Sequence, residues 1–169
     1  YYPNGNVQSK IYYENGRPNG LYELYYSNGQ LEEQGHWNRN KNTGDFKRFF
    51  DNGVIMQHFQ FADNGKRNGE QLYYHPNGEV EVVVNMIDGK ENGSLKRYYS
   101  NGELKSEMKV ELGVADKNSY VEYKAKKVLE EIDGKPKVER KVADVEKAKP
   151  NIGHLAVANG HSYKEENLK

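Results

Sequence analysis

An aromatic pair followed within three or four residues by Asn-Gly recurs five times along this chain at a nearly constant interval. The copies are Tyr1-Tyr2-Pro3-Asn4-Gly5, Tyr25-Tyr26-Ser27-Asn28-Gly29, Phe49-Phe50-Asp51-Asn52-Gly53, Tyr73-Tyr74-His75-Pro76-Asn77-Gly78 and Tyr98-Tyr99-Ser100-Asn101-Gly102, and their glycines advance by 24, 24, 25 and 24 residues. A second series, Gly20, Gly44, Gly69 and Gly93, precedes the last four by nine residues each, in Asn-, Gly- and Lys-rich stretches that read as loops. Self-similarity at so short a period means a stack of small supersecondary units, none of which buries its apolar face alone.

Asn-Gly between runs rich in Tyr, Phe, Val and Ile is a strong hairpin signal, because a two-residue type I′ turn needs positive φ at both central residues. Turns are therefore expected at Asn28-Gly29, Asn52-Gly53, Asn77-Gly78 and Asn101-Gly102. A two-residue tip at Asn28-Gly29 places Ser27 opposite Gln30, Tyr26 opposite Leu31 and Tyr25 opposite Glu32. Side chains on a strand change faces at every residue, so this register sorts the whole repeat. One face collects Tyr22, Leu24, Tyr26, Leu31 and Trp37, then Phe46, Phe50, Ile55, Phe59 and Phe61. It continues through Val80, Val82, Val84 and Met86 to Leu95, Tyr99, Leu104, Met108 and Val110. The other face reads Glu32, Gln34 and His36, then Glu81, Val83 and Asn85, then Lys105, Glu107 and Lys109.

The expected fold class is all-β: an elongated antiparallel meander of stacked hairpin repeats over residues 1–123, with roughly ten strands. Composition suits a one-sided sheet, in which only alternate residues need be apolar. Hydrophobic residues make up 35% of the sequence, mean hydropathy is −1.07, and 14 Tyr and 5 Phe against one Trp supply large apolar area that tolerates a wet edge. The apolar side then needs a cover, for which sheet curvature, a folded-over end and a partner are the alternatives.

The first aromatic of each pair breaks the two-face rule. Tyr25, Phe49, Tyr74 and Tyr98 fall on the polar face by glycine counting, two strands and thus about 10 Å apart. Two readings apply: cross-strand packing over neighbours such as Glu32, Met56 and Lys105, or a ladder of candidate partner-binding residues.

The repeats decay after Gly102, where Tyr120-Val121-Glu122-Tyr123 reads as a degenerate strand. Residues 124–169 are expected to form a degenerate terminal hairpin around Asp133-Gly134-Lys135-Pro136, followed by a Lys/Glu-rich cap or mobile tail. The sequence starts inside a repeat, so an upstream leader or further repeats are expected, and localisation (cell envelope, secreted or cytoplasmic) stays open.

The residues from Tyr25 to Gly29, with Gly65-Lys66-Arg67-Asn68-Gly69 and Gly89-Lys90-Glu91-Asn92-Gly93, resemble the MORN repeat (membrane occupation and recognition nexus) in its bacterial variant form. The resemblance covers about residues 1–123. It implies hairpin-per-repeat sheets that serve as binding scaffolds, and a likeness to possible antitoxins of the YwqK type. MORN repeats are also associated with membrane phospholipid.

No enzyme chemistry is expected. The sequence holds no Gly-x-Ser-x-Gly, His-Glu-x-x-His or Walker-type Gly-Lys-Ser/Thr, and the Gly-Lys pairs at Gly65, Gly89 and Gly134 read as turns. The absence of Cys removes disulfides, thiolate metal sites and Cys nucleophiles. His36 and His58 lie on the polar face in different hairpins and read as solvated, so no metal or other cofactor is expected. Lys plus Arg equals Asp plus Glu at 25 each, which gives no field to attract nucleic acid. The leading expectation is a non-catalytic scaffold for protein–protein interaction, toxin-neutralising or surface-associated. The alternatives are carbohydrate or cell-wall binding through the aromatic row, and membrane phospholipid association.

Overall fold

A computed structural model describes residues 1–125, so the terminal hairpin and cap expected over 124–169 lie almost wholly outside the described residues. Apolar/polar alternation of period two gives strands and nothing else. They are β1 (Ser9–Glu14), β2 (Arg17–Tyr25), β3 (Leu31–Asn38), β4 (Lys41–Phe49), β5 (Ile55–Phe61), β6 (Gly69–Tyr74), β7 (Val80–Ile87), β8 (Lys90–Glu91), β9 (Gly93–Tyr98), β10 (Leu104–Glu111) and β11 (Val114–Glu122). All pairings are antiparallel within one open sheet, in sequence order from β1 to β11; β8, a short stretch ahead of β9, pairs with β7. The degenerate strand expected around Tyr120 falls inside β11.

The tips are hairpin turns, but not of the expected type. At Asn28-Gly29 the glycine N–H donates to the Tyr26 carbonyl at 2.9 Å, and Gly29 has φ +86° while Asn28 stays out of the left-handed region. That is a type I turn closed by a left-handed glycine, a three-residue loop rather than a two-residue one. The same bond recurs at Gly5, Gly53, Gly65, Gly78 and Gly102. Type I′ turns do occur, at the opposite end of the sheet: Asn15-Gly16 (φ 50° and 73°), Arg39-Asn40 (49° and 71°), Asp88-Gly89 and Leu112-Gly113. Between β5 and β6 the three-residue loop Asp63-Asn64-Gly65 replaces such a turn, and this extra residue produces the single 25-residue step.

The longer tip corrects the register at its last pair. From Leu24↔Glu33 to Gly20↔Trp37 the strands pair as expected, whereas Tyr25 stands opposite Leu31 and Glu32 is squeezed out as a bulge. Ile55, Val80 and Leu104 likewise stand opposite Phe49, Tyr74 and Tyr98, so these four aliphatic residues belong with the aromatic row and not with the apolar face. The second glycine series is also corrected: Gly20 and Gly44 lie inside strands and Gly69 and Gly93 open theirs, each beside a register shift and not in a loop.

Tyr22, Phe59, Val82, Val84, Met86, Leu95, Met108 and Val110 are buried, and all belong to the face that alternation marks as apolar. Part of their cover comes from the sheet itself. The Tyr22 ring lies across Gly35, where a Cβ would meet it at 3.0 Å, and stacks on Trp37 at 4.1 Å. Phe59 stacks on Phe46 at 5.7 Å, meets Tyr73 edge-on, and carries the Arg67 guanidinium 3.9 Å above its ring.

Successive repeats are stitched together at the tips. The second aromatic of a pair donates to the carbonyl of the first aromatic of the next: Tyr2 to Tyr25 (2.7 Å), Tyr26 to Phe49 (2.7 Å) and Tyr99 to Tyr123 (3.0 Å), with His75 Nε2 taking the same part toward Tyr98 (3.0 Å). The tip asparagine serves twice. Its Oδ1 accepts from the N–H two residues on, as in Gln30 N–H to Asn28 (2.9 Å), and its Nδ2 donates to the next tip, as in Asn28 to Asp51 O (3.1 Å) and Asn77 to Ser100 O (2.6 Å). Asn77→Asp keeps the acceptor and loses the donor. Urea denaturation should show a loss of about 1 kcal/mol, the net worth of one hydrogen bond; an unchanged midpoint would show that the stitch carries no stability.

Candidate partner-binding face

Tyr25, Phe49, Tyr74 and Tyr98 are the last residues of β2, β4, β6 and β9, each half-buried. One strand intervenes between consecutive members, so adjacent rings sit about 10 Å apart and form a row without touching. Each faces an aliphatic partner across its strand pair, Leu31, Ile55, Val80 and Leu104 respectively. Aromatic–aliphatic pairs of this kind stabilise a sheet by a fraction of a kcal/mol, so the packing role and an accessible edge coexist in the same rings.

The polar-face position is clearest at Tyr25. Its hydroxyl donates to Glu23 Oε2 at 2.6 Å and accepts from Lys10 Nζ at 2.8 Å, while Lys10 and Glu23 form an ion pair at 3.2 Å. The Tyr25 hydrogen bond, with the Glu23 bond second, raises the Lys10 pKa, and the Tyr25 bond lowers that of Glu23. Both shifts hold the pair charged at neutral pH.

Sequence reading missed a fifth member. Tyr123 follows Tyr98 by 25 residues, takes the Tyr99 hydroxyl on its carbonyl, and donates its own hydroxyl to Glu107 Oε1 at 2.8 Å, as Tyr25 does to Glu23. The repeat interval alone could have found it; the loss of Asn-Gly after it hid the equivalence.

Beside the aromatics runs a second row of directly paired residues, one from each strand except the short β8: Lys10, Glu23, Gln34, Lys47, His58, Leu72, Val83, Lys96, Glu107 and Val121. It is charged at Lys10, Glu23, Lys47, Lys96 and Glu107, and apolar at Leu72–Val83 near the middle and at Val121 on the β11 edge. His58 Nε2 lies 3.2 Å from Asp45 Oδ1, and this contact lowers the Asp45 pKa. Among the described residues no three His, Asp or Glu side chains are placed to hold a metal ion.

The apolar face carries an ionic group that alternation does not reveal. Glu33, 9% exposed, accepts from the Tyr22 hydroxyl on Oε1 (2.9 Å) and from Arg48 Nε (3.0 Å) and Nη2 (2.5 Å) on Oε2. Burial first, and then the Glu33 charge, pushes the Tyr22 pKa well above its ordinary value. The triad ties β2, β3 and β4 together across the sheet, which is a structural role.

A family model described as MORN repeat variant matches the sequence five times, over residues 1–15, 18–39, 42–66, 67–88 and 91–110. These segments follow the hairpin period and span more than half of the 169 residues. A search of curated proteins gave no significant match.

Proposed function

Since the chain belongs to the MORN repeat variant family, we propose that it is a non-catalytic scaffold that binds a protein partner along the edge marked by Tyr25, Phe49, Tyr74, Tyr98 and Tyr123. MORN repeats are generally modules for protein or membrane-lipid association, and the family is a repeat scaffold without known catalysis. The supporting observation is the recurrence of one half-buried aromatic at the same strand-end position in successive repeats. Such an array offers an extended surface, and rigid aromatic rings bind at low entropic cost. Neutralisation of a toxin is one specific form of this role, suggested by the resemblance to YwqK-type proteins. Equal numbers of cationic and anionic residues, 25 each, give no net attraction to anionic lipid, which favours protein over membrane.

Immobilised wild type and a Tyr74→Ser/Tyr98→Ser double variant, each checked for its melting temperature, should be offered the same source lysate, with anionic vesicles and peptidoglycan in parallel. A protein retained by the wild type and weakened at least about tenfold by the variant, at equal folded fraction, is the expected result. Equal retention by both would remove the row from the binding site. Binding only to vesicles or peptidoglycan would replace the protein partner with lipid or glycan.

A further inference from the structure

We propose that Asn15 is a site of spontaneous deamidation whose product opens the β1–β2 hairpin, and that the fold shields the other Asn-Gly pairs of residues 1–125 from the same reaction. The reaction needs only water. The Gly16 backbone nitrogen, after losing its proton, attacks Asn15 Cγ; a new C–N bond closes a five-membered succinimide, the Cγ–Nδ2 bond breaks, and ammonia leaves. Water then opens the ring at one carbonyl or the other. The products are aspartate, or isoaspartate, in which the backbone runs through the former Cγ and gains one methylene.

Glycine is the most permissive successor because it has no Cβ to hinder the attack, and ten Asn-Gly pairs lie in residues 1–125. Structure sorts them into three environments. In the loops at Asn4, Asn28, Asn52, Asn64, Asn77 and Asn101, the glycine N–H that must act as nucleophile donates to a carbonyl at 2.9 Å in every case. In the same loops the asparagine Oδ1 is pinned by the N–H two residues on, at 2.9 to 3.2 Å. Asn19, Asn68 and Asn92 precede the bulge glycines, and each Oδ1 accepts from the next turn: Arg39 N–H at 3.4 Å, Asp88 N–H at 3.3 Å and Leu112 N–H at 3.2 Å.

Asn15 differs in its turn and in its hydrogen bonds. It is exposed, sits in a two-residue type I′ turn with both residues at positive φ, and neither its side chain nor the Gly16 N–H has a hydrogen bond among the described residues. The other three type I′ turns, Arg39-Asn40, Asp88-Gly89 and Leu112-Gly113, carry no Asn-Gly.

The consequence follows from the turn. A two-residue loop fixes the register of its strands, and a backbone methylene inserted there no longer fits the Glu14↔Arg17 pair. Among the described residues β1 pairs only with β2, so once the turn opens it keeps that one ladder and the tip bonds of residues 2–8 to Tyr25 and Ser27, with no strand on its other side. Lys10 leaves with β1, and Tyr25 loses the ammonium 2.8 Å from its hydroxyl.

The test ages the protein at mildly alkaline pH, folded and in parallel in urea, and follows each site by peptide mapping with fragment-ion localisation. In the folded protein Asn15 should convert roughly tenfold faster than Asn28 or Asn77, the factor that one retained hydrogen bond makes in a rate. In urea the three sites should converge. Equal rates in the folded protein, or a folded-state order that persists in urea, would overturn the shielding. Hydrogen exchange reads the second half: the amide of Lys10, which the Tyr25 N–H to Gln8 O bond and the register place in a hydrogen-bonded pair with Glu23, should lose protection in the isoaspartate form but not in freshly prepared Asn15→Asp, which carries the charge without the methylene. Full protection in the isoaspartate form would overturn the hairpin opening.

Discussion

Phe59→Ala is expected to cost about 4 kcal/mol of unfolding free energy, the range for deleting a fully buried aromatic ring. The residue is 1% exposed, and its ring is shared by Phe46, Tyr73 and the Arg67 guanidinium, so truncation removes apolar area and strips contacts from neighbouring strands at once. A single-layer sheet has few alternative side chains to collapse into the space. Truncation of Glu32 or Lys105, which lie outside the buried set, should change stability by no more than about 0.5 kcal/mol. Urea melts of the three variants, compared at equal slope, decide the matter. Similar midpoints for Phe59→Ala and Glu32→Ala would mean that the face assignment is wrong.

Arg48→Met should be the second most damaging change, at about 3 kcal/mol. Glu33 is held away from water with its two oxygens divided between Tyr22 and Arg48, and removing the guanidinium leaves a largely buried carboxylate with only the tyrosine hydroxyl. The damage comes from the stranded charge and not from the lost pair as such. Glu33→Met/Arg48→Met should therefore recover most of the loss, because an apolar pair fits this face. A double variant as unstable as Arg48→Met would show that the triad contributes through its own geometry. Tyr22→Phe in both backgrounds separates the hydroxyl's share.

How much of the candidate site is legible in the sequence follows from which interactions are local. Tyr25, Phe49, Tyr74 and Tyr98 can be placed on one face from glycine counting alone, since alternation along a strand needs no knowledge of the partner strand. Their aliphatic partners cannot. Alternation from a two-residue tip puts Leu31 on the opposite face, but one extra residue in the loop moves it from Tyr26 to Tyr25, and loop length depends on which turn the tip adopts. Tyr123 escapes a motif-based reading because the Asn-Gly that announces the other members is absent after it.

The turn error has a specific origin. Asn-Gly suggests a type I′ turn through the tolerance of asparagine for positive φ, whereas at the tips asparagine is used for its side-chain amide. One end of that amide closes its own turn, and the other reaches a carbonyl 23 residues away in the next repeat. That carbonyl exists at the right place only once the hairpins have stacked.

Sequence by itself determined the repeat period, the all-β class, the order of the hairpins and the face on which the eight buried apolar residues lie, because a period-two pattern is a property of each strand alone. Tertiary structure decided the turn types at the two ends, the in-strand bulges at the second glycine series, and the burial of Glu33 against Arg48. Each of these depends on atoms supplied by a different strand or a different repeat, and the partner's position is set only when the sheet has formed.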